Sequence, residues 1–516
     1  MAIARSSRPV PMPGCTPLFD TAAMREADRR SAEDHAIPSI VLMERAGLAA
    51  AQAILSAFGE AREAVVVVGS GNNGGDGMVV ARHLAEAGLS VRVLAPGAAA
   101  PRTPDGAVMA AIAASIGITV EALDPEGPHP PADVVVIDAL LGTGVSGALR
   151  EPALGAVGWM ASHAGPVVAL DVPSGVDADT GRVEGRAVRA DLTVTFHGDM
   201  IGLRVTPGAD MAGRVEVADI GVPSAVALAP TGWLAGADAA RSVPRKGAGA
   251  DKYASGSVLV VAGSPGLTGA ACLAARATLR AGAGLSVVAA PAAVQPAVAA
   301  HLLEVMCAPV PDEDGHLAAS SVDEVLAQAG RASAVAVGPG LGRAAGTTAA
   351  VLALLDRLER PVVLDADGLW HLGDAPERLA GRAHATVLTP HAGEAARLLG
   401  RERPHVESDR LACARELARR SGAVVVLKGR GTVTAAPDGT VVIASGGSSA
   451  LASAGTGDVL TGVIGAFLSK GMGPLAAAAA GVAVHARAGE LADRGDGTIA
   501  SDVLEALPRA LAESRP

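Results

Sequence analysis

Short Val-rich runs recur along this chain, and most are followed by glycine- and acid-containing loops and then by Ala/Leu-rich stretches of helical length. In the first half the runs lie at 64–68, 91–94, 134–137, 167–170 and 192–196. In the second they lie at 258–262, 285–289, 334–337, 362–364, 386–388, 424–427 and 432–435. This alternation predicts an α/β protein with mainly parallel sheets, and it starts afresh after a turn-rich passage. The first half predicts helices at 21–34, 40–57, 77–87, 104–116 and 151–162. At 516 residues the chain exceeds what one core organises. Pro223, Pro230, Gly232, Gly236 and Pro244 place the boundary near residue 225, giving domains 1–225 and 226–516. Aromatic residues are only 2% of a chain that is 50% hydrophobic, so Ala, Val and Leu must fill the interiors. A hairpin is expected over 432–443, turning at Pro437-Asp438-Gly439.

Charge and composition exclude several classes. A net charge of −11 without a basic cluster leaves no face for a nucleic-acid backbone. No stretch approaches the roughly 18–20 uninterrupted apolar residues of a spanning helix. The Ala-rich run 475–484 ends at His485 and Arg487 and reads as a buried helix. Residues 1–17 contain Arg5 and Arg8 but no apolar core of a signal peptide. Cys15, Cys272, Cys307 and Cys413 are dispersed, with neither CxxC nor paired histidines, the usage of a reduced compartment. The expectation is a cytoplasmic protein with no membrane partner.

Three loops of the first half follow predicted strands and carry acids. They are Gly69-Ser70-Gly71-Asn72-Asn73-Gly74-Gly75-Asp76-Gly77, Asp138-Ala139-Leu140-Leu141-Gly142-Thr143-Gly144, and Asp171-Val172-Pro173-Ser174-Gly175-Val176-Asp177. Ligands of open α/β sheets bind outside the carboxyl ends of the strands, so the three should converge. Glycines let the backbone approach an anion or take positive φ, and a helix N-terminus offers N–H groups to phosphate. Asn73, Asp138 and Ser174 form an oxygen-only set that suits a hard cation over zinc, with potassium, sodium and magnesium all open. The plainer reading is a set of turn residues and caps, with Asp76 an N-cap.

At these residues the first half resembles, over about residues 20–222, the epimerase domain of the NAD(P)H-hydrate repair family. The resemblance implies a Rossmann-like three-layer fold that binds the hydrated dinucleotide NAD(P)HX and one potassium ion. Matched by position, Asn72, Asn73, Gly74, Gly75 and Asp76 would contact the dinucleotide. So would Gly142, Thr143, Gly144, Val145, Ser146, Gly147, Ala148 and Asp171. Asn73, Asp138 and Ser174 would hold potassium, and Asp138 would also be the acid/base for R/S interconversion. The family's Lys after the TVTF segment is missing here: Thr193-Val194-Thr195-Phe196 runs into His197-Gly198-Asp199, leaving Arg204 or His197 as substitutes.

In the second half, Ala454-Gly455-Thr456-Gly457-Asp458 precedes the apolar run 459–468. A phosphoryl group would lie against the N–H groups there, with Asp458 within reach of an attacking hydroxyl as general base. Leu427-Lys428-Gly429-Arg430-Gly431-Thr432 ends a buried strand with a cation, two glycines and a hydroxyl, a second phosphate contact. Asp365 and Asp367 serve equally well as metal ligands or turn caps. An ordinary helix cap with an acid in its first turn is the plain reading of GTGD.

The second half resembles the ribokinase-like superfamily. More narrowly, over about residues 235–512, it resembles the ADP/ATP-dependent NAD(P)H-hydrate dehydratases. The segments that carry this are VAGS with Gly269-Ala270, VGPGLG at 337–342, LDADGL at 364–369, LTPHAGE at 388–394 and ASAGTGDVLTG at 452–462. The resemblance implies a three-layer α/β domain in which Ala270, Gly340, His391 and Asp458 contact the hydrated dinucleotide. Lys428, Gly429, Arg430, Gly431, Thr432 and Gly457 would bind ADP or ATP, with Mg2+. The implied reaction phosphorylates the ring hydroxyl of S-NAD(P)HX and eliminates phosphate. Both domain types commonly assemble, so a homo-oligomer is expected. A ribokinase-like small-molecule kinase with an accessory Rossmann-like domain is the rival reading. An RNA-decapping scaffold module is another, against which the intact GNNGGDG and Asp138 speak.

Overall fold

The computed structural model describes residues 12–144 and 146–514. The chain divides into two compact units, the second starting at Trp233 and also taking in the N-terminal segment that ends at Thr16.

The first unit is built on seven strands: β1 (Glu63–Val68), β2 (Ser90–Pro96), β3 (Val120–Leu123), β4 (Val135–Ala139), β5 (Val167–Leu170), β6 (Leu192–Phe196) and β7 (Arg214–Ala218). Their order is β3-β2-β1-β4-β5-β6-β7. Every pair is parallel. This is the Rossmann order, and it reverses direction between β1 and β4. Alternate residues face opposite layers: Val66, Val68 and Ile137 pack under helices Ser39–Ala57 and Asn72–Glu86, whereas Val65, Val67 and Val136 pack with helix Ala153–Ala161. The edge strands β3 and β7 went unpredicted because their residues are largely exposed or half-exposed and show no continuous apolar run. Helix Ser39–Ala57 is long and apolar enough to span a membrane by composition alone. It carries Glu44 and Arg45, however, and buries Met43, Ala50, Ala51 and Ile54 in the core, as a packed helix does.

The second unit is an α/β domain built on one large, mostly parallel sheet with helices packed on it. Its strands are β8 (Gly232–Ala235), β9 (Ser257–Val261), β10 (Leu285–Pro291), β11 (Met306–Val310), β12 (Ala334–Val337), β13 (Val362–Leu364), β14 (Thr386–Leu388), β15 (Val424–Leu427), β16 (Val433–Ala435) and β17 (Val441–Ala444). Within the sheet they run β8-β17-β16-β15-β14-β13-β12-β9-β10-β11. The stretch β14-β13-β12-β9-β10-β11 is parallel. The expected hairpin is the antiparallel pair β16/β17. Helices Thr268–Arg280, Thr456–Ser469, Pro474–Ala492 and Ala500–Glu513 share one core with Val258, Val260, Ala336 and Val426. Small side chains make that layer possible: a Cβ on Gly462 would stand 2.2 Å from the carbonyl oxygen of Ala274. The opposite side carries Arg410–Ser421, packed on β15.

Candidate active sites

In the first unit the loops after β1, β4 and β5 meet beside the strand-order reversal and wall a cavity of about 940 Å³. That volume suits a dinucleotide-sized ligand. Asn72, Asn73, Asp76, Gly142, Thr143, Gly144 and Asp171 line it. Gly74 and Gly75 are buried behind the wall, while Ser146, Gly147 and Ala148 are exposed and outside it. Val145 lies outside the described residues.

The glycines here serve proximity. The helix starts at Asn72 rather than at the expected residue 77, so Gly74, Gly75 and Gly77 are helical. A Cβ on Gly74 would stand 2.0 Å from the Gly69 carbonyl oxygen, and one on Gly77 2.5 Å from Ala139 Cβ. The helix can therefore drop onto the end of the sheet, bringing its N-terminal amides to the cavity. Asp76 is consequently no N-cap; it sits in the first turns, 9% exposed.

Four carboxyl-bearing residues line this space: Asp105, which accepts from Ser39 Oγ, and Asp28, Asp76 and Asp171. Burial, with Asp171 and Asp28 nearby, pushes Asp76 well above the usual carboxylate range. Burial beside Asp171 raises Asp28 to about 6. Asp171 is also raised by burial, although the Thr143 N–H, 2.8 Å from its Oδ2, opposes the shift. Its backbone takes φ 65, which turns the residue off the end of β5. Like-charged acids in one desolvated space share protons, the arrangement general acid–base chemistry needs. Asp28 was not predicted, because it comes from helix Thr21–His35, far from any glycine loop.

Asp138 behaves differently from expectation. It is fully buried and accepts from Ser174 N (2.7 Å), Ser174 Oγ (2.7 Å) and Leu140 N (3.2 Å). It does not line the cavity. Burial raises it to about 6 against those three donors. These three hydrogen bonds tie the β4 and β5 loops together through Asp138. Asn73 donates to the carbonyls of Leu141 (2.9 Å) and Leu170 (3.2 Å), while its Oδ1 is buried with no partner. An orphaned amide oxygen beside a buried carboxylate and a serine hydroxyl is a donor set that fits a hard cation. Of the two substitutes for the missing lysine, His197 lines the cavity. Arg204 instead pairs with Asp199 at 2.8 Å.

The second unit assembles its site around a cation. Lys428 Nζ, after β15, lies 2.8 Å from Asp365 Oδ1, after β13. Thr461 Oγ1 donates to Asp365 Oδ2 at 2.6 Å. Burial alone would raise Asp365, but Lys428 and the hydroxyls hold it below the usual range. Lys428 in turn is held above its ordinary value, because Asp365, Glu394 and Asp458 outweigh its burial. Asp365 is thus an ion-pair partner, and Asp367 caps the turn at Gly342 N (3.0 Å). The GTGD segment opens helix Thr456–Ser469 from Gly455 at φ 90. Burial and Asp365 raise Asp458 to about 7, with Lys428 pulling the other way. Gly457 brings the helix start against the cation, since a Cβ there would stand 3.3 Å from Lys428 Nζ. Buried His485 donates from Nε2 to the Thr456 carbonyl (2.8 Å) and anchors this turn.

The loop at residues 428–432 folds through Gly429 (φ 141) and Gly431 (φ 58), with Arg430 exposed and Thr432 Oγ1 donating to Gly429 O. Beneath it, buried Arg410 donates to the carbonyls of Leu427 (2.9 Å) and Lys428 (3.2 Å). No sequence motif pointed to Arg410. Gly340 (φ 62) meets Ala270: a Cβ at 340 would stand 2.5 Å from Leu267 O and 3.2 Å from Ala270 Cβ. His391 caps helix Ala392–Leu399. Its Nδ1 accepts from Gly393 N (3.0 Å) and Glu394 N (3.2 Å), and Glu394 Oε2 accepts from His391 N (2.8 Å). With Nδ1 accepting, the neutral ring carries its proton on Nε2, which lies 3.5 Å from Glu394 Oε1. Burial raises Glu394 to about 7.

The family described as NAD(P)H-hydrate dehydratase matches residues 258–509, and that described as YjeF-related protein N-terminus matches residues 39–202. The bifunctional NAD(P)H-hydrate repair enzyme of Salinibacter ruber is 40% identical over 447 residues, 82% of this chain and 82% of that one. The enzyme of the same name from Moorella thermoacetica is 40% identical with the same 82% shares. Among solved structures, the ADP/ATP-dependent NAD(P)H-hydrate dehydratase of Bacillus subtilis, co-crystallised with ATP and Mg2+, is 30% identical. It covers 54% of this chain and 96% of its own, with a TM-score of 0.45. The chain belongs to the family of bifunctional NAD(P)H-hydrate repair enzymes.

Proposed function

We propose that the chain repairs hydrated nicotinamide dinucleotides at two sites, interconverting R- and S-NAD(P)HX at the first and dehydrating S-NAD(P)HX with ADP or ATP at the second. The observation that carries the second activity is Asp458, raised to about 7, at a helix N-terminus beside Lys428. In dehydration, Asp458 accepts the proton of the ring hydroxyl as its oxygen attacks the terminal phosphoryl group. Lys428 and the amides opening helix Thr456–Ser469 face the developing charge. The C–O bond to the phosphorylated oxygen then breaks, phosphate leaves, and the adjacent ring carbon gives up a proton to the phosphate or solvent, which restores the ring double bond. Phosphate leaves far more readily than hydroxide, which accounts for the nucleotide. His391 donates from Nε2 to the dinucleotide, next to Gly340 and Ala270.

Among the described residues no group of three or more His, Cys, Asp or Glu side chains could hold a metal ion. Mg2+ would arrive on the nucleotide phosphates, with Asp458 at hand. Bound there, it would neutralise phosphate charge. At the first site, Asp76, Asp28 and Asp171 perform the acid and base work at the hydrated carbon. Asn73, Asp138 and Ser174 would hold potassium, which would stabilise the loop junction.

The test is incubation of chemically hydrated NADH with the full chain, with and without ADP. Recovery of NADH from both epimers with ADP, and R/S equilibration without it, is expected. A stable phosphorylated product with no NADH would instead identify a small-molecule kinase.

A further inference from the structure

Beside the second site, two arginines share one indole. Arg397 places its Cζ 4.4 Å from the Trp370 ring centroid, and Arg343 places its Cζ 5.5 Å away. The platform is rigidly mounted. Trp370 belongs to helix Asp367–Leu372, which leaves the β13 loop directly after Asp365. The next residue, His371, is bound on both ring nitrogens, to Gly342 O (2.8 Å) and Thr348 Oγ1 (2.8 Å), which fixes the backbone that carries Arg343. Arg343 reaches Asp367 Oδ1 at 3.3 Å but keeps 64% of its side chain exposed. Arg397 is exposed and, among the described residues, forms no hydrogen bond or ion pair. A guanidinium stacked on an aromatic face is held in orientation while all its N–H donors stay open. That is how a bidentate phosphate contact is prepared.

We propose that Arg397 and Arg343, seated on Trp370, form a phosphate subsite for the dinucleotide substrate of the dehydratase. The proposal rests on the function assigned above and names where one anionic group of that substrate goes. Placement on the substrate side follows from the supporting elements. Arg343 continues the loop of Gly340, and Arg397 lies on the helix capped by His391. The function proposed above assigns the nucleotide's phosphates to residues 428–432 and Gly457. A phosphate of the hydrated dinucleotide has two sources, the bridging pyrophosphate present in NADHX and NADPHX alike, and the 2′-phosphate of NADPHX alone.

Steady-state dehydration of S-NADHX and S-NADPHX by the full chain, at saturating ADP, separates them. Arg397→Gln should raise the substrate KM about tenfold or more, the effect of losing charge-assisted phosphate bonds. Arg343→Gln should do so less, because Asp367 already engages that guanidinium. A rise confined to NADPHX assigns the subsite to the 2′-phosphate, and an equal rise in both assigns it to the pyrophosphate. Trp370→Leu should reproduce the KM pattern of Arg397→Gln by releasing its guanidinium, whereas Trp370→Phe should restore most of the affinity. In all of these the KM for ADP should keep its wild-type value. An increased KM for ADP, or unchanged KM for both dinucleotides in the Arg397→Gln/Arg343→Gln double variant, overturns the subsite. A wild-type enzyme that fails to dehydrate either substrate would instead overturn the function on which the subsite rests.

Discussion

The two sites use the same residue types, glycine and aspartate, to opposite ends. In the first unit Asp28, Asp76 and Asp171 crowd one cavity, each raised by burial and none of them ion-paired to a cation among the described residues. In the second, Asp365, Asp458 and Glu394 surround Lys428, which sorts them: Asp365 stays ionised while Asp458 and Glu394 rise to about 7. A cavity of raised carboxyl groups suits proton transfer to and from the oxygen of one hydroxyl-bearing carbon. A cation clamped between acids suits transfer of a multiply charged phosphoryl group. The glycines divide likewise. Gly74 and Gly77 keep helical torsions so that a helix can touch the sheet, whereas Gly429, Gly431 and Gly455 bend the backbone through positive φ.

This contrast can be broken most directly at Asp458. Asp458→Asn keeps the size and removes the base, so nucleotide-dependent dehydration should fall by about 10²–10⁴-fold. R/S equilibration by the same preparation should continue; parallel loss of both activities would show that the sites are not independent. Lys428→Met tests the clamp next. It leaves Asp365, 1% exposed, without its partner, and breaking such a pair costs about 3–5 kcal/mol. Denaturant unfolding should show that loss for the second unit, and Lys428→Met/Asp365→Asn should recover much of it.

The glycine contrast predicts a smaller difference. Gly74→Ala forces a methyl against the Gly69 carbonyl and should destabilise by about 1–3 kcal/mol. In Gly457→Ala the nearest atom is the flexible tip of Lys428, so the melting temperature should barely change. Equal shifts in a thermal melt would refute the packing argument. The mildest effect is on pH. A base raised to about 7 is protonated below that pH, so dehydration should weaken as pH falls through 7, by about fivefold between pH 7 and 6. A profile flat across that interval at saturating substrates would remove Asp458 as the base.

Much of this was legible in the chain because local pattern encodes local backbone. The central strands announce themselves as unbroken Val-rich runs, buried throughout. The GTGD turn and the lysine loop each lie within a few residues, so sequence spacing and spatial proximity coincide there. The edge strands β3 and β7 were missed because half-exposed strands need no continuous apolar run. The helix start at Asn72 was missed because glycine reads as a loop former, and only contact with Gly69 and Ala139 shows why a helix needs it.

By itself the sequence determined the layered α/β plan, the family resemblance and the loops that carry chemistry, since these follow from periodicity and from contiguous motifs. Only the tertiary structure decided what surrounds each acid. Asp138 accepts from Ser174 and Leu140 outside the cavity lining, while unannounced Asp28 lines the cavity. Arg410 and the Arg343–Trp370–Arg397 platform likewise come together from separate segments. A side chain's protonation and free donors depend on burial and on neighbours brought in by the fold, and neither quantity is written in local spacing.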